Sequence, residues 1–345
     1  MSDYRFPAEW EHQEGVLLCF PHNGNDWPGK YEAVKWDFVE FIKKVARVEI
    51  VFLVVIDAAF EARVNEWLSI ADVNLKNIRY IHQKTNRSWM RDSGPIIVKK
   101  GKQRVALNFN FNGWAKYSNY RLDKHVPSGI ADILGLPLET VHYRNKPFVL
   151  EGGAIDSNGK GTLLTSEECL LHPKIQVRNS GFNREMYEEV FEHYLGIRQV
   201  IWLGDGIEGD DTHGHIDDLC RFVNENTIVT VVEKSTKDRN HAPLKDNLAR
   251  LRKARLADGK QPDIAELPMP NKLIFDGLRL PASYANFLII NSTVLVPVFN
   301  DPNDRLALDT LSVCFPKREI IPISAINLIW GFGTLHCLSQ QIPAK

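Results

Sequence analysis

Hydrophobic and polar positions alternate along the chain in a pattern that recurs several times. The pattern consists of a helix-forming stretch, a short apolar strand, a polar motif and a pair of apolar strands. Its helical part is clearest in "NREMYEEVFEHYLG", where apolar side chains recur with the spacing of one helix face. The positions that predict this buried face are Met186, Tyr187, Val190, Phe191, Tyr194 and Leu195.

Five units follow the pattern. The first begins at "AAFEARVNEWLSI" and ends in the pair of apolar strands "IIVKKGKQRVALNF". The second begins at "SGIADILG" and ends in the apolar stretch "GTLLTSEE". The third, fourth and fifth begin at "NREMYEEVFEHYLG", "LKDNLARLRKARL" and "ALDTLSVCF". The fifth unit ends in "GTLHCLSQQ" and lacks one strand of its pair, which "EGVLLCF" near the N-terminus would supply. Repeated supersecondary units of this kind predict an α/β fold that closes into a ring.

The polar motifs place one reactive or polar side chain in each unit, roughly every 60 residues. Four of the motifs carry Asp92, Glu151, His215 and Cys337, and Tyr284 marks the fourth unit. In a ring of such units the equivalent strand ends converge at the centre. The repeat therefore predicts that these side chains meet in one pocket.

Composition and charge restrict the possible partners. The chain has 345 residues with 44% hydrophobic and 25% charged positions, which is typical of a globular protein that buries a sizeable core. A formal net charge of −1 favours neither nucleic acid nor a membrane surface as a partner. No apolar run approaches the roughly 20 residues of a spanning helix, and the polar N-terminus lacks a signal-peptide core. We therefore expect a cytoplasmic enzyme.

The segment "GDDTHGHIDD" raises the possibility of a metal site. His213, His215 and Asp217 alternate in it and could share one face of a strand, so a metal-dependent hydrolase is one hypothesis. No comparable cluster of further histidines accompanies them. The five cysteines are scattered without a C-x-x-C pair, which argues against a disulfide framework and a structural zinc.

The motifs taken together resemble the agmatine deiminases and bacterial, Porphyromonas-type peptidylarginine deiminases of the pentein superfamily. The resemblance begins at "WEHQEGVLLCFPHNGNDWPG" and continues through "SWMRDSGP", "FNFNGW", "EGGAID", "GTLLTSEECLL", "GDDTHGHIDD" and "LHCLSQQIP". It covers nearly the whole chain, so it implies a single domain over residues 1–345. The implied fold is a five-bladed α/β propeller with pseudo-fivefold symmetry, built from five ββαβ-type repeats.

The resemblance also implies the roles of five residues. Cys337 is expected to be the nucleophile, His215 and Glu151 to transfer protons, and Asp92 and Asp217 to bind a guanidinium. Carboxylates suit this task because a guanidinium is a planar cation whose donors they accept pairwise. The thiol would form a covalent thiouronium that water then hydrolyses, without a metal or another cofactor. Because anions oppose thiolate formation, we expect the bound cation to activate Cys337.

The substrate depends on positions where the chain departs from the family. The resemblance places Trp89, Asp211 and Phe332 at the substrate; Asp211 is expected to face the distal ammonium of agmatine. Phe332 and Thr334 stand where the family has glycine and asparagine. We expect conversion of agmatine to N-carbamoylputrescine and ammonia. A homodimer is one possible assembly, and the sequence leaves the oligomeric state open. Two alternatives remain open: deimination of arginine in peptides, and a non-catalytic binding protein on the same scaffold.

Overall fold

The computed structural model describes residues 2–345, and their strands are short and numerous. In the first half of the chain they are β1 (Tyr4–Arg5), β2 (Gln13–Cys19), β3 (Ile50–Val55), β4 (Ile78–His82), β5 (Ile96–Lys100), β6 (Gln103–Asn108), β7 (Leu138–Thr140), β8 (His142–Tyr143), β9 (Lys146–Pro147), β10 (Asp156–Ser157) and β11 (Thr162–Ser166). In the second half they are β12 (Gln199–Leu203), β13 (Cys220–Phe222), β14 (Thr227–Val232), β15 (Asp263–Pro268), β16 (Ile274–Phe275), β17 (Leu278–Arg279), β18 (Leu288–Ile290), β19 (Thr293–Val298), β20 (Glu319–Ser324) and β21 (Ser339–Pro343).

The α-helices connect these strands. They are α1 (Tyr31–Ala46), α2 (Ala58–Ile70), α3 (Met90–Ser93), α4 (Val126–Leu134), α5 (Glu167–Leu171), α6 (Arg184–Leu195), α7 (His241–Lys253) and α8 (Asn303–Cys314). The predicted apolar face of α6 is confirmed, since Tyr187, Val190, Phe191 and Leu195 are buried. Gly196 ends this helix in the left-handed conformation that glycine adopts most readily.

Four sheets share one connection pattern. In each, an antiparallel hairpin is followed by a helix that returns the chain to a third, parallel strand. The strand orders are β1-β5-β6-β7, β10-β11-β12, β13-β14-β15 and β18-β19-β20, with β1 added antiparallel to β5. Two small sheets, β8-β9 and β16-β17, lie outside this pattern. A parallel neighbour requires such a crossover, and a helix covering one face of the sheet supplies it. The repeat predicted from the sequence is thus present in a mixed α/β fold.

The fifth sheet joins the two ends of the chain, in the order β21-β2-β3-β4. Strand β2 pairs antiparallel with β21, so the N-terminal strand completes the last unit as predicted. The sheet also contains β3, which α1 and α2 flank in the chain and which the sequence pattern did not identify as part of a unit. Its central position explains its composition, because five of its six residues are buried.

The polar motifs occupy equivalent places in all five sheets. Each lies immediately before a strand of an antiparallel pair: Asp92 before β5, Glu151 before β10, Asp217 before β13 and Cys337 before β21, which pairs with β2. The fourth motif precedes β18 and ends at Asn286. Within residues 2–345, no helix is long and apolar enough to cross a membrane.

Candidate active site

The first and last motifs are held together by a buried arginine. Arg91, at the start of α3, donates from its guanidinium to the His336 carbonyl (3.2 Å) and to Gln341 Oε1 (2.5 Å). Its backbone N–H donates to the Cys337 carbonyl at 3.2 Å. These contacts place the neighbouring Asp92 beside the segment that carries the thiol.

Asp92 is a buried carboxylate with two fixed donors. Trp114 Nε1 donates to its Oδ2 at 2.8 Å and the Gly153 N–H to its Oδ1 at 3.1 Å. Burial raises the pKa of Asp92 to about 6, against the opposing charge of His215. Gly153 must lack a side chain, because a Cβ there would lie 2.5 Å from His215 Nδ1. The backbone at Gly153 therefore approaches both side chains closely.

His215 lies between two carboxylates. Its Nδ1 is 3.8 Å from Asp92 Oδ1 and its Nε2 is 3.9 Å from Glu151 Oε2, but neither ring nitrogen has a hydrogen-bond partner among residues 2–345. Burial alone lowers the pKa of His215, but the neighbouring Asp92, Cys169 and Glu151 outweigh burial and hold it well above its usual value. The imidazole is therefore a proton donor at neutral pH.

Glu151 is fixed as an anion by Arg178. The Arg178 Nε donates to both carboxylate oxygens, at 3.1 and 3.3 Å, and both side chains are fully buried. Burial raises the pKa of Glu151, but the Arg178 guanidinium more than offsets this and lowers it to about 2. Glu151 thus remains a proton acceptor over the physiological pH range.

Cys337 is a buried thiol next to an amide donor. Asn286 Nδ2 donates to its Sγ at 3.0 Å, and Sγ lies 3.6 Å from Asp217 Oδ2. Burial, followed by the charges of Asp217, Asp218 and Asp92, raises the pKa of Cys337 well above its usual value. The thiol is therefore neutral until a positive charge enters the site.

The Asp217 carboxylate is oriented by the buried side chain of His336. His336 Nδ1 contacts its Oδ2 at 2.7 Å, and Nε2 of the same ring contacts Glu9 Oε2 at 2.8 Å. Burial raises the pKa of Asp217, but His336 outweighs it and the net shift is downward. Asp217 Oδ1 is buried without a hydrogen-bond partner among residues 2–345, so it is available to accept from a ligand.

A cavity of about 320 Å³ opens onto this cluster. Its lining includes Cys337 and Asp92, together with three other predicted substrate residues, Trp89, Asp211 and Phe332, whereas Asp217 is fully buried and is not part of the lining. Trp89 lies against Trp27, with ring centroids 5.3 Å apart. Phe332 adopts a left-handed conformation (φ 69°), which explains why glycine suits this position.

The Asp211 carboxylate at the cavity wall already has two partners. Lys116 Nζ lies 2.5 Å from its Oδ1 and the Tyr117 hydroxyl donates to its Oδ2 at 2.7 Å. A distal ammonium of the substrate must therefore compete with the Lys116 ammonium for the Asp211 carboxylate.

His213 does not join His215 and Asp217 in a metal site. Its ring contacts Glu168, through the backbone carbonyl at 3.1 Å and the carboxylate at 3.6 Å. Within residues 2–345, two groups of three potential ligands lie within 4.8 Å of one another, and His213 belongs to neither. They are Glu151, Cys169 and His215, and Asp217, Asp218 and Cys337. The ligand set suggested by the alternating sequence is wrong, because His213 points towards α5.

Four residues that shape the site were not predicted from the sequence: Asn286, Arg178, His336 and Cys169. Asn286 lies two residues after Tyr284, which was chosen to mark the fourth unit but whose hydroxyl instead contacts Asp304. The position just before each hairpin strand would have identified Asn286. Arg178 carries no such signal, since it lies in the loop between α5 and α6.

The chain is similar to known proteins over nearly its full length. The model of the Porphyromonas-type peptidyl-arginine deiminase family matches residues 5–343. The agmatine deiminase of Pseudomonas syringae pv. tomato is 32% identical over 367 residues, which covers 99% of this chain and 96% of the relative. The agmatine deiminase of Enterococcus faecalis superposes with a TM-score of 0.91 at 29% identity, over 99% of this chain and 96% of that one. A C. jejuni agmatine deiminase with substrate bound gives 0.88 at 33% identity, over 98% and 96%.

Proposed function

Because the chain belongs to the Porphyromonas-type peptidyl-arginine deiminase family and is a hydrolase acting on guanidino groups, we propose that Cys337 deiminates a small guanidine held by Asp92 and Asp217. One observation carries the proposal. Cys337 Sγ lies 3.6 Å from Asp217 Oδ2 on a cavity that Asp92 also lines. A planar cation bound by both carboxylates presents its carbon to the sulfur.

The reaction has two covalent stages. Binding of the cation releases the Cys337 thiol proton to solvent, and the thiolate Sγ attacks the guanidino carbon. His215 donates its proton to the departing nitrogen, the C–N bond breaks, and ammonia leaves while the S–C bond of a thiouronium remains. Water then gives a proton to His215 and its oxygen attacks the same carbon. The S–C bond breaks with its electron pair on sulfur, the proton of the adduct's hydroxyl restores the thiol, and a ureido product leaves. One water is consumed for each ammonia, and the mechanism needs no metal or other cofactor.

Glu151 supports both stages through His215. Its carboxylate is 3.9 Å from His215 Nε2 and is held in place by Arg178. An anion at this position stabilises the imidazolium before ammonia leaves and again after water is deprotonated. Glu151 also accepts a hydrogen bond from the attacking water in the second stage.

We propose agmatine as the substrate, with N-carbamoylputrescine and ammonia as products. The cavity is lined by four aspartates and one arginine, namely Asp26, Asp92, Asp211, Asp276 and Arg87. This excess of negative charge attracts a dication and repels the carboxylate of free arginine. Because Asp211 is paired with Lys116, we place the preference in the whole wall rather than in Asp211 alone. Peptidyl arginine, which lacks the distal ammonium, is the rival substrate.

The remaining parts of the proposal concern the whole protein. We propose that the five sheets form the blades of a propeller within one domain, a proposal that their shared strand order and the convergence of their motifs support. A cytoplasmic location and a homodimer also remain proposals.

The test is a colorimetric assay of ureido product with agmatine, free arginine and a C-terminal arginyl peptide. We expect the highest kcat/KM for agmatine, no turnover by Cys337→Ser, and near-normal turnover by Cys314→Ser, whose half-buried thiol lies on α8. Phe332→Gly widens the cavity wall and should improve the peptide relative to agmatine. Turnover by Cys337→Ser would overturn the mechanism, and a peptide preference in the wild type would overturn the substrate. Activity lost to a chelator and restored by metal would favour a metal-dependent hydrolase.

A further inference from the structure

Cys169 is a second buried thiol next to the proposed acid–base pair, and the mechanism does not use it. It lies on α5, which Ser166 caps by accepting from the Cys169 N–H at 3.2 Å. Its Sγ, a ring nitrogen of His215 and a carboxylate oxygen of Glu151 all lie within 4.8 Å of one another. All three side chains are buried.

The His215 ring adds an independent observation. It is 1% exposed, and neither of its nitrogens has a hydrogen-bond partner among residues 2–345. Buried polar atoms are normally paired, so this ring has unused capacity for a ligand at the point where the thiol and the carboxylate converge.

We propose that Cys169, His215 and Glu151 bind a zinc ion, which inhibits the enzyme. A thiolate, an imidazole and a carboxylate are the donor types that zinc combines in proteins. Zn–S and Zn–N bonds of roughly 2.3 and 2.1 Å bring ligand atoms to within about 4 Å of one another. The observed separations need only a small closure to reach this geometry.

The contacts of the His215 ring indicate which of its two nitrogens would bind the zinc ion. His215 Nε2 faces Glu151 Oε2 at 3.9 Å, whereas Nδ1 faces Asp92 Oδ1 at 3.8 Å. Nε2 is therefore the metal ligand, and Asp92 orients the ring through Nδ1 as carboxylates commonly do behind zinc-bound histidines. Arg178 already bonds Glu151, so its positive charge opposes the ion and keeps the binding reversible.

Zinc at this site stops catalysis without touching the nucleophile. Binding displaces the protons of the Cys169 thiol and the His215 imidazole to solvent. The ring then carries a metal where it must carry a proton, so it cannot protonate the departing nitrogen. The inhibition rests on the proposed function, whereas the binding does not.

The second cluster provides the competing explanation. Asp217, Asp218 and Cys337 also lie within 4.8 Å of one another, and zinc there would block the nucleophile directly. The two sites contain different thiols, so cysteine variants separate them.

The test measures zinc binding by competition with a chromogenic chelator in the full-length protein, for wild type, Cys169→Ser, Cys337→Ser and Cys314→Ser. We expect Cys169→Ser to weaken binding at least about tenfold and the other two variants to bind as the wild type does. Circular dichroism and thermal unfolding check that each variant is folded. Zinc binding unchanged in Cys169→Ser but lost in Cys337→Ser would overturn the proposal, as would no binding by the wild type.

Cobalt substitution and inhibition give two further readouts. The thiolate-to-cobalt absorption band should be present in Cys337→Ser and absent in Cys169→Ser. The opposite result contradicts the assignment.

In activity assays, the zinc concentration for half-inhibition should rise at least about tenfold in Cys169→Ser, each variant being compared with its own metal-free rate. A failure of the catalytic proposal would remove only this last readout, so the two proposals fail separately. If Cys169→Ser does not fold, the cobalt spectrum of Cys337→Ser still decides, because loss of its absorption places the thiol ligand at Cys337.

Discussion

At the scale of single residues, Asn286 connects the fourth sheet to the nucleophile. Its Nδ2 donates to Cys337 Sγ and to Asp218 Oδ1, each at 3.0 Å, while its Oδ1 accepts from Thr334 at 2.7 Å. The Thr334 hydroxyl holds the amide in the orientation that presents N–H to sulfur. A donor at this place stabilises the thiolate over the thiol.

We expect Asn286→Ala to lower kcat/KM by tenfold or more. A hydrogen bond to a charged group contributes roughly 1.5–3 kcal/mol, and its loss also raises the pKa of Cys337 further. The alkaline rise in the pH–rate profile should therefore move to higher pH. Thr334→Ala, which removes only the support behind the amide, should have a smaller effect in the same direction. An unchanged pH profile in Asn286→Ala would show that the amide does not act on the thiol.

The raised pKa of Cys337 predicts how it reacts with alkylating agents. Chloroacetamide is neutral and should label Cys337 slowly at neutral pH and faster as the pH rises towards the raised pKa. A chloroacetamidine has the same leaving group but carries a cation like that of the substrate, which stabilises the thiolate between Asp92 and Asp217. We expect it to label Cys337 at least about tenfold faster than chloroacetamide at pH 7, one pKa unit being a tenfold change in thiolate.

Peptide mapping by mass spectrometry measures both rates, with Cys314 as the internal control. Cys314 is half-buried and has no such carboxylate cluster, so the two reagents should label it at similar rates. Equal rates at Cys337 would mean that the carboxylates do not hold a cation beside the thiol.

At the scale of elements, the turn between Glu151 and β10 brings two sheets together. Gly153 donates to Asp92 and leaves room for His215, whereas Gly152 lies against the Arg91 carbonyl. A Cβ on Gly153 would come within 2.9 Å of Asp92 Oδ1 as well as 2.5 Å of His215 Nδ1. The spacing of the proposed acid–base residues therefore depends on a missing side chain.

We expect Gly153→Ala to reduce kcat by at least about a hundredfold, because a displacement of the order of 1 Å in a catalytic constellation has an effect of this size. Gly24→Ala is the matched control, since a Cβ there meets no heavy atom within 4 Å. The measurement is kcat with agmatine, alongside thermal unfolding of both variants. Near-normal kcat in Gly153→Ala would show that the turn does not set the position of His215.

At the scale of the whole molecule, the Glu9 carboxylate joins segments from both ends of the chain. It contacts Arg221 at 2.9 Å, His336 at 2.8 Å and Arg91 at 3.4 Å, all of them buried. Burial raises the pKa of Glu9, but Arg221 and His336 outweigh it and hold the pKa well below its ordinary value of 4.5. The network thus couples overall stability to the orientation of Asp217 through His336.

Glu9→Gln should destabilise the protein at pH 7 by about 3–5 kcal/mol, because it leaves buried cations without their partner. A depressed folded pKa contributes stability above about pH 4.5, and this contribution is lost as the pH falls towards the folded pKa. Stability should therefore fall below pH 4.5 in the wild type and less steeply in Glu9→Gln. Urea unfolding between pH 7 and pH 3 measures both effects. Glu14→Gln, whose partly exposed carboxylate pairs with Arg104, should change stability by no more than about 1 kcal/mol.

The sequence by itself determined the repeat and the chemical type of the site. Helix periodicity and strand patterning act over a few neighbouring positions, so α6 and the strand that closes the last sheet were predictable. The motifs at Asp92, Glu151, His215 and Cys337 could be chosen because each recurs at the same place in a unit, before an apolar strand. Strand β3 was missed because it runs into the N-cap of α2 at Asp57 rather than into a polar motif.

Only the tertiary structure decided which atoms meet. His336 joins Asp217 to Glu9 across 119 and 327 positions of the chain, and no local pattern specifies such a pairing. The same holds for Lys116 at Asp211, 95 positions away, and for Cys169 beside His215. These contacts follow from how the sheets pack. Packing depends on the summed burial and charge balance of the whole chain, whereas a motif reports only its own residues.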